Sequence, residues 1–254
     1  MSISEPSSLA LRPQTSLHCS YHDGMFSHEP RWESRGGKSD GFLRALEHSY
    51  EIEATCFHEA GHAVIDYALG MGCASVSIEA NYAIQADGKL GVRYGGLAMP
   101  SARMAQKSGR QIKRNVWNEA ILIFGVVNCA GPAAERKFRF LHDMPQRLLF
   151  ASEGDHSNVD AAGKRLEMSG RCSFAYRRLT WRVAQRYLDQ EAVWGAIEVL
   201  ADELNLEWSR VDPDGTEEQP KAGDQIKAVV DGRRARTLMR RAGVRPGMLG
   251  IMFG

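Results

Sequence analysis

Two histidines and a glutamate stand together with the spacing of a zinc site. His58, Glu59 and His62 lie in the run HEAGH, which fits the pattern HExxH. Residues four apart share one face of a helix, so both imidazoles can bind a single Zn²⁺ ion. Glu59 would then lie near the open position of the metal, where it can take a proton from bound water. The motif therefore predicts metal-assisted hydrolysis, with Glu59 as the catalytic base.

The residues around the motif favour a helix that is packed against a core. Glycines at 70 and 72 mark its end. Within the range 42–69 the apolar residues recur mostly at three- and four-residue spacing: Leu43, Leu46, Tyr50, Ala54, Phe57, Val64 and Ala68. The sequence thus predicts that the motif lies on an amphipathic helix.

The rest of the chain predicts a mainly α fold with a small β-sheet. Short alternating runs at 74–78 and 89–94 indicate strands, and the range 102–206 has helical patterns, including a buried helix over 116–128 followed by Gly131-Pro132. The polar range 209–220 is typical of a linker, and we expect one last short helix over 221–230.

Length and charge limit the classes of protein. The chain has 254 residues, 43% of them hydrophobic, which suits about one domain with a sizeable core. Its formal net charge of +1 argues against a surface that binds nucleic acid as a whole. The charge is uneven, however, because the range 232–254 contains six arginines and no acidic residue.

The sequence also indicates a cytoplasmic protein. Its five cysteines are scattered and include no CxxC pair, so neither a disulfide framework nor a zinc ribbon is predicted. The first residues lack the basic and apolar regions of a secretory signal. The longest apolar run, 121–130, is about half the ~20 residues that a transmembrane helix needs.

Several segments occur in the order found in a known family: HEAGHAV, ALG, the VSI strand, a glycine-rich stretch ending at Pro100, AGPAAE at 130–135 and GDHSNVDAA at 154–162. Over about 45–231 the chain resembles the peptidase domain of FtsH-type zinc metalloproteases. The resemblance implies a zincin-like, mostly helical fold and a catalytic zinc held by His58 and His62. It also implies that Glu59 acts on the metal-bound water to hydrolyse peptide bonds.

The chain departs from this family in two respects. It lacks the AAA ATPase module, so we expect a stand-alone peptidase that is ATP-independent by itself. Its substrates would be peptides or unfolded proteins, unless a separate ATP-driven unfoldase is its partner. The family's third zinc ligand, an aspartate, corresponds by spacing to Asn158, which is a poor ligand for zinc. Asp155 or Asp160 would supply a better ligand after a small shift in register.

These predictions divide the chain into a disordered leader at 1–40, a metallopeptidase-like domain at 41–231 and a basic tail at 232–254. Glu135 is either a partner of a ligand histidine or an ordinary ion-pair residue. The range 89–99 is either a plain hairpin strand or an edge to which an extended substrate adds. Because an asparagine stands at the expected ligand position, the alternative function is a non-catalytic binding or regulatory module of the same fold.

Overall fold

Helices dominate the described part of the chain, and one small sheet accompanies them. The computed structural model describes residues 40–84, 86, 88, 90–100, 114–144, 153–165, 170–212 and 221–250. The predicted class, mainly α with a small β-sheet, is confirmed for these residues. The predicted leader lies outside them except for residue 40, as do residues 251–254. None of the described helices is long and apolar enough to cross a membrane.

The first helix, α1 (Asp40–Ala68), carries the HEAGH run and passes through the core. Its residues Ala54, Ala60 and Val64 are fully buried. The ring of Phe57 stacks on that of Phe138 with 4.2 Å between centroids. The motif is therefore held on an element that the core fixes on several sides.

The sheet contains three antiparallel strands in the order β2-β1-β3. They are β1 (Ser75–Ile84), β2 (Leu90–Met99) and β3 (Gln225–Asp231). The prediction of a helix over 221–230 is wrong, because most of that range forms β3. Ile226, Ala228 and Val230 alternate with exposed residues and turn toward the core, which is the two-residue period of a strand. Pairing with β1, far away in sequence, selects this conformation.

Between β2 and β3 the described residues form four helices: α2 (Arg114–Leu141), α3 (Glu153–Arg165), α4 (Gly170–Leu188) and α5 (Glu191–Val211). Helix α1 packs against both α2 and α5, and α3 and α4 pack on α2. Helix α2 continues through Pro132, although a proline interrupts one backbone hydrogen bond. At Gly61 a Cβ atom would lie only 2.6 Å from Cβ of Ala134. The absence of a side chain at Gly61 on α1, opposite Ala134 on α2, thus allows the two helices to approach closely.

The range predicted as a basic tail is instead folded onto the body as far as residue 250. Helix α6 (Gly232–Arg241) begins directly after β3. The spacing of its buried residues, Ala235, Leu238 and Met239, places them on one helix face. Val244 and Leu249 are buried beyond it. The apolar residues between the arginines therefore anchor this range.

Candidate metal centre

Three potential metal ligands from two helices converge at one point. His58 Nε2 lies 3.1 Å from His62 Nε2. The Oδ2 atom of Asp155 on α3 lies 3.0 Å from the first nitrogen and 3.3 Å from the second. Three ligands of a tetrahedral zinc at about 2.0–2.1 Å would be roughly 3.3 Å apart. The triangle therefore has nearly the size of one face of a zinc coordination sphere.

Hydrogen bonds on the far side of each imidazole set its tautomer. His62 Nδ1 donates to the carbonyl oxygen of Val127 at 2.7 Å. His58 Nδ1 lies 3.0 Å from Oε2 of Glu135, a carboxylate. With the protons on Nδ1, both Nε2 atoms present lone pairs to Asp155 and to each other. Such an arrangement is repulsive unless a cation or a shared proton lies among the three atoms, so the donor set fits a metal ion.

Glu135 is held in place by a chain of buried charges. Its Oε1 accepts a hydrogen bond of 2.9 Å from Nε of Arg139, one turn later on α2. Arg139 is 2% exposed and also donates to Glu51 on α1 at 2.8 Å. Burial disfavours the charge of Glu135, but His58 and Arg139 outweigh it and lower the pKa of Glu135 to about 2. Glu135 is thus an ionised partner of His58, one of the two roles open from the sequence.

Asp155, which the sequence left as an alternative to Asn158, forms with His58 and His62 a group that could hold a metal ion. The amide of Asn158 donates instead to Oδ1 of Asn128 on α2 at 2.9 Å. Asp160, the other alternative, pairs with Arg177 on α4. Asp155 and Asn158 both line the cleft because residues three apart share a helix face. Counting from the family spacing therefore reached Asn158, one turn of α3 from Asp155, and the identity of the third ligand stays a prediction.

The charges of His58, Asp155 and Glu135 depend on one another. Burial disfavours the charged form of His58, but the hydrogen bonds to Asp155 and Glu135 outweigh it and raise its pKa to about 10. Burial also disfavours the charged form of Asp155, yet the two histidines hold the pKa of this carboxyl well below its usual range. A divalent cation at this cluster would therefore compete with a proton.

Glu59 lies beside this group, with the backbone of β2 on its other side. Its side chain is 5% exposed, and burial raises the pKa of its carboxyl, while the two histidines and a hydrogen bond from the Ala98 backbone oppose that shift. A Cβ atom on Gly96 would lie 2.4 Å from Cγ of Glu59. The side chain of Glu59, the base predicted from the sequence, therefore packs between its own helix and the sheet. It lines the same cleft as His58 and His62.

The cleft that contains this centre has a volume of about 870 Å³. Strand β2 forms one wall, through residues that include Arg93, Gly96 and Ala98, and α2 contributes the apolar residues Ile123 and Phe124. Its volume falls within the range of roughly 300–1,000 Å³ that is typical of ligand pockets.

Two buried charged residues near the site were not singled out from the sequence. Arg139 follows Glu135 by four residues, a spacing that fits an ion pair on one helix, whereas only the structure shows its contact with Glu51 on α1. Asp66 lies one turn beyond His62 on the same face of α1 and also lines the cleft. Burial raises the pKa of Asp66 to about 7, against the influence of His62. The series 58, 62, 66 at four-residue spacing is the pattern that could have identified it.

Comparison of the chain with models of protein families gives no match. A comparison with curated proteins gives no match either. The geometry of the site therefore carries the functional argument.

Proposed function

We propose that this protein is a zinc-dependent metallopeptidase of the FtsH peptidase type, which hydrolyses peptide bonds without using ATP itself. The observation that carries the proposal is the convergence of His58, His62 and Asp155 beside the buried Glu59. This is the ligand set of two imidazoles and one carboxylate that is common in catalytic zinc sites with an open fourth position.

Each residue of the site then has a role that follows from its contacts. When bound, zinc supplies Lewis acidity, which makes water nucleophilic near neutral pH. Glu59 accepts the proton of the attacking water and delivers it to the leaving nitrogen, for which a carboxyl of raised pKa is suited. Glu135 and the Val127 carbonyl hold the histidines in the tautomers that bind metal.

Strand β2 supplies a surface for an extended substrate. Among the described residues it pairs only with β1, so its other edge is not used by the sheet. The same strand lines the cleft next to Glu59. A peptide that adds to this edge would place one of its carbonyl groups near the metal, which supports the second of the two interpretations of range 89–99. Substrates would then be peptides or unfolded proteins, and folded ones would need a separate unfoldase.

The alternative, a non-catalytic module of the same fold, depended on an asparagine at the third ligand position. Asp155 offers a charged ligand within 3.3 Å of both histidine nitrogens, which favours the enzyme.

The proposal is tested with the full-length protein loaded with zinc and a mixture of fluorogenic peptides. We expect one tightly bound zinc per chain and cleavage that Glu59→Gln abolishes while zinc content stays near one. Glu198→Gln, on the exposed face of α5, is the matched control and should cleave like the wild type. Equal cleavage by Glu59→Gln would remove Glu59 from the mechanism, and a chain that binds no zinc would favour the non-catalytic module.

A further inference from the structure

Asp66 lies in the same cleft as the proposed reaction centre, but its side chain makes none of the contacts described above for that centre. It follows His62 by four residues on α1, which corresponds to about 6 Å along the helix axis. It lines the same cleft as His62, together with Met71. The residue is thus one helical turn away from the metal ligands.

The carboxylate of Asp66 is buried without a partner among the described residues. The residue is 7% exposed, and beyond the backbone hydrogen bonds of α1 its carbonyl oxygen accepts from the N–H of Met71 at 3.0 Å. Within that part of the chain its side chain forms neither a hydrogen bond nor an ion pair, and the residue lines the cleft. Buried aspartates are almost always paired, because an unpaired buried charge is costly.

Apart from Glu59, the other acidic residues that line the cleft each contact a hydrogen-bond or ion-pair partner. Asp155 contacts the two histidines, and Glu135 contacts His58 and Arg139. Glu79 accepts from Asn81 and Gln225 and lies 3.8 Å from Nζ of Lys227. Among these described residues of the cleft, Asp66 is therefore the acid without a hydrogen-bond or ion-pair partner for its side chain.

We propose that Asp66 forms a subsite for a cationic side chain, lysine or arginine, of an extended peptide in the cleft. This inference rests on the proposed function, because it takes the ligand to be a peptide substrate. Extended chains advance about 3.3 Å per residue, so a side chain that reaches Asp66 belongs to a residue within about two positions of the scissile bond. Met71 offers an apolar contact for the aliphatic stem of such a side chain.

A free peptide amino terminus carries the same ammonium chemistry, and the experiment separates it from a side chain. The protein is full-length Glu59→Gln loaded with zinc, which binds peptides without cleaving them. The ligands are N-acetylated fluorescent peptides of one sequence with lysine, norleucine or glutamate at each position in turn, and the norleucine peptide with a free amino terminus. Fluorescence anisotropy gives the Kd of each.

At one position we expect lysine to bind at least about tenfold more tightly than norleucine, with glutamate weakest. When Asp66→Asn is added to the Glu59→Gln protein, the Kd values for the lysine and norleucine peptides should become about equal. Adding Glu198→Gln instead should leave the preference for lysine unchanged. Equal Kd values for lysine and norleucine at every position would overturn the inference, even if Asp66→Asn failed to fold. So would a folded Asp66→Asn protein that keeps the preference. A gain for the free amino terminus alone would assign Asp66 to that group and also overturn it.

Failure of the proposed function gives a different result. If the protein with Glu59 intact cleaves none of these peptides but the lysine preference depends on Asp66, the site is a binding site and the peptidase proposal fails alone. If cleavage occurs without any lysine preference, the peptidase proposal stands and the role of Asp66 fails.

Discussion

Gly96 on strand β2 lies directly against the side chain of Glu59 on helix α1. A Cβ atom on this glycine would lie 2.4 Å from Cγ of Glu59 and 2.4 Å from the backbone oxygen of Ser77. The sheet and the motif helix can therefore approach closely only because residue 96 has no side chain. This contact fixes the proposed base relative to the strand along which a substrate would lie.

Gly96→Ala should therefore impair activity more than an ordinary surface substitution. The added methyl group must displace Glu59 or the strand, and overpacking of this kind costs about 1–3 kcal/mol. We expect peptide cleavage to fall at least tenfold. The matched control is Gly95→Ala, because a Cβ atom at that position meets nothing within 4 Å. Equal rates for the two variants would show that the contact has no functional effect.

Asp155→Asn should weaken zinc binding far more than Asn158→Ala. The first change removes the carboxylate from the ligand triangle, whereas the second removes only a hydrogen bond to Asn128. Removing a residue that only hydrogen-bonds a metal ligand typically lowers metal affinity roughly 10- to 100-fold. We expect Asp155→Asn to lower zinc affinity by more than this. Competition with a chromophoric chelator measures both affinities. The reverse order would return the ligand role to Asn158.

Zinc should stabilise the folded protein against heat. The triangle of His58, His62 and Asp155 exists only when α1 and α3 are in place, so the metal binds the folded state preferentially. At a free zinc concentration of 100 times Kd, the free energy of unfolding rises by about 2.7 kcal/mol. For a domain of this size that corresponds to a rise in Tm of roughly 5–11 °C. Calorimetry with and without a chelator checks the value, and Asp155→Asn should show a smaller rise.

Arg139→Met should destabilise the protein and loosen the metal site together. The substitution leaves Glu135 and Glu51 without their shared cation, and breaking a buried ion pair typically costs about 3–5 kcal/mol. Arg136→Met, at an exposed position on the same helix, serves as the control. Urea unfolding and zinc affinity are the two measurements. A stability change without any change in zinc affinity would limit Arg139 to a structural role.

Asp231→Ala should destabilise helix α6 without affecting the metal site. The carboxylate of Asp231 caps this helix by accepting from the backbone N–H groups of Arg233 and Arg234 at 2.8 and 3.1 Å. Loss of such a cap costs about 0.5–2 kcal/mol. Asp231→Asn, which retains an acceptor, should recover most of the loss in urea unfolding. No difference between the alanine and asparagine variants would argue against the cap.

Much of the secondary structure followed from local patterns. The helix that carries HEAGH was predicted over 42–69 and extends over Asp40–Ala68, because its three- and four-residue apolar spacing is a local property. The two strands after it were also found. Strand β3 was mistaken for a helix, since the alternation in seven residues is short and its pairing with β1 is not visible locally.

The sequence by itself determined that His58 and His62 share a helix face with Glu59 next to them, because helical geometry alone relates residues four apart. Only the tertiary structure decided that Asp155 lies against both histidines, that Glu135 contacts His58, and that Asp66 is buried in the wall of the cleft. These relationships join residues as much as 97 positions apart. Spacing along the chain cannot supply them, because they depend on how α1, α2 and α3 pack around small residues such as Gly61 and Gly131.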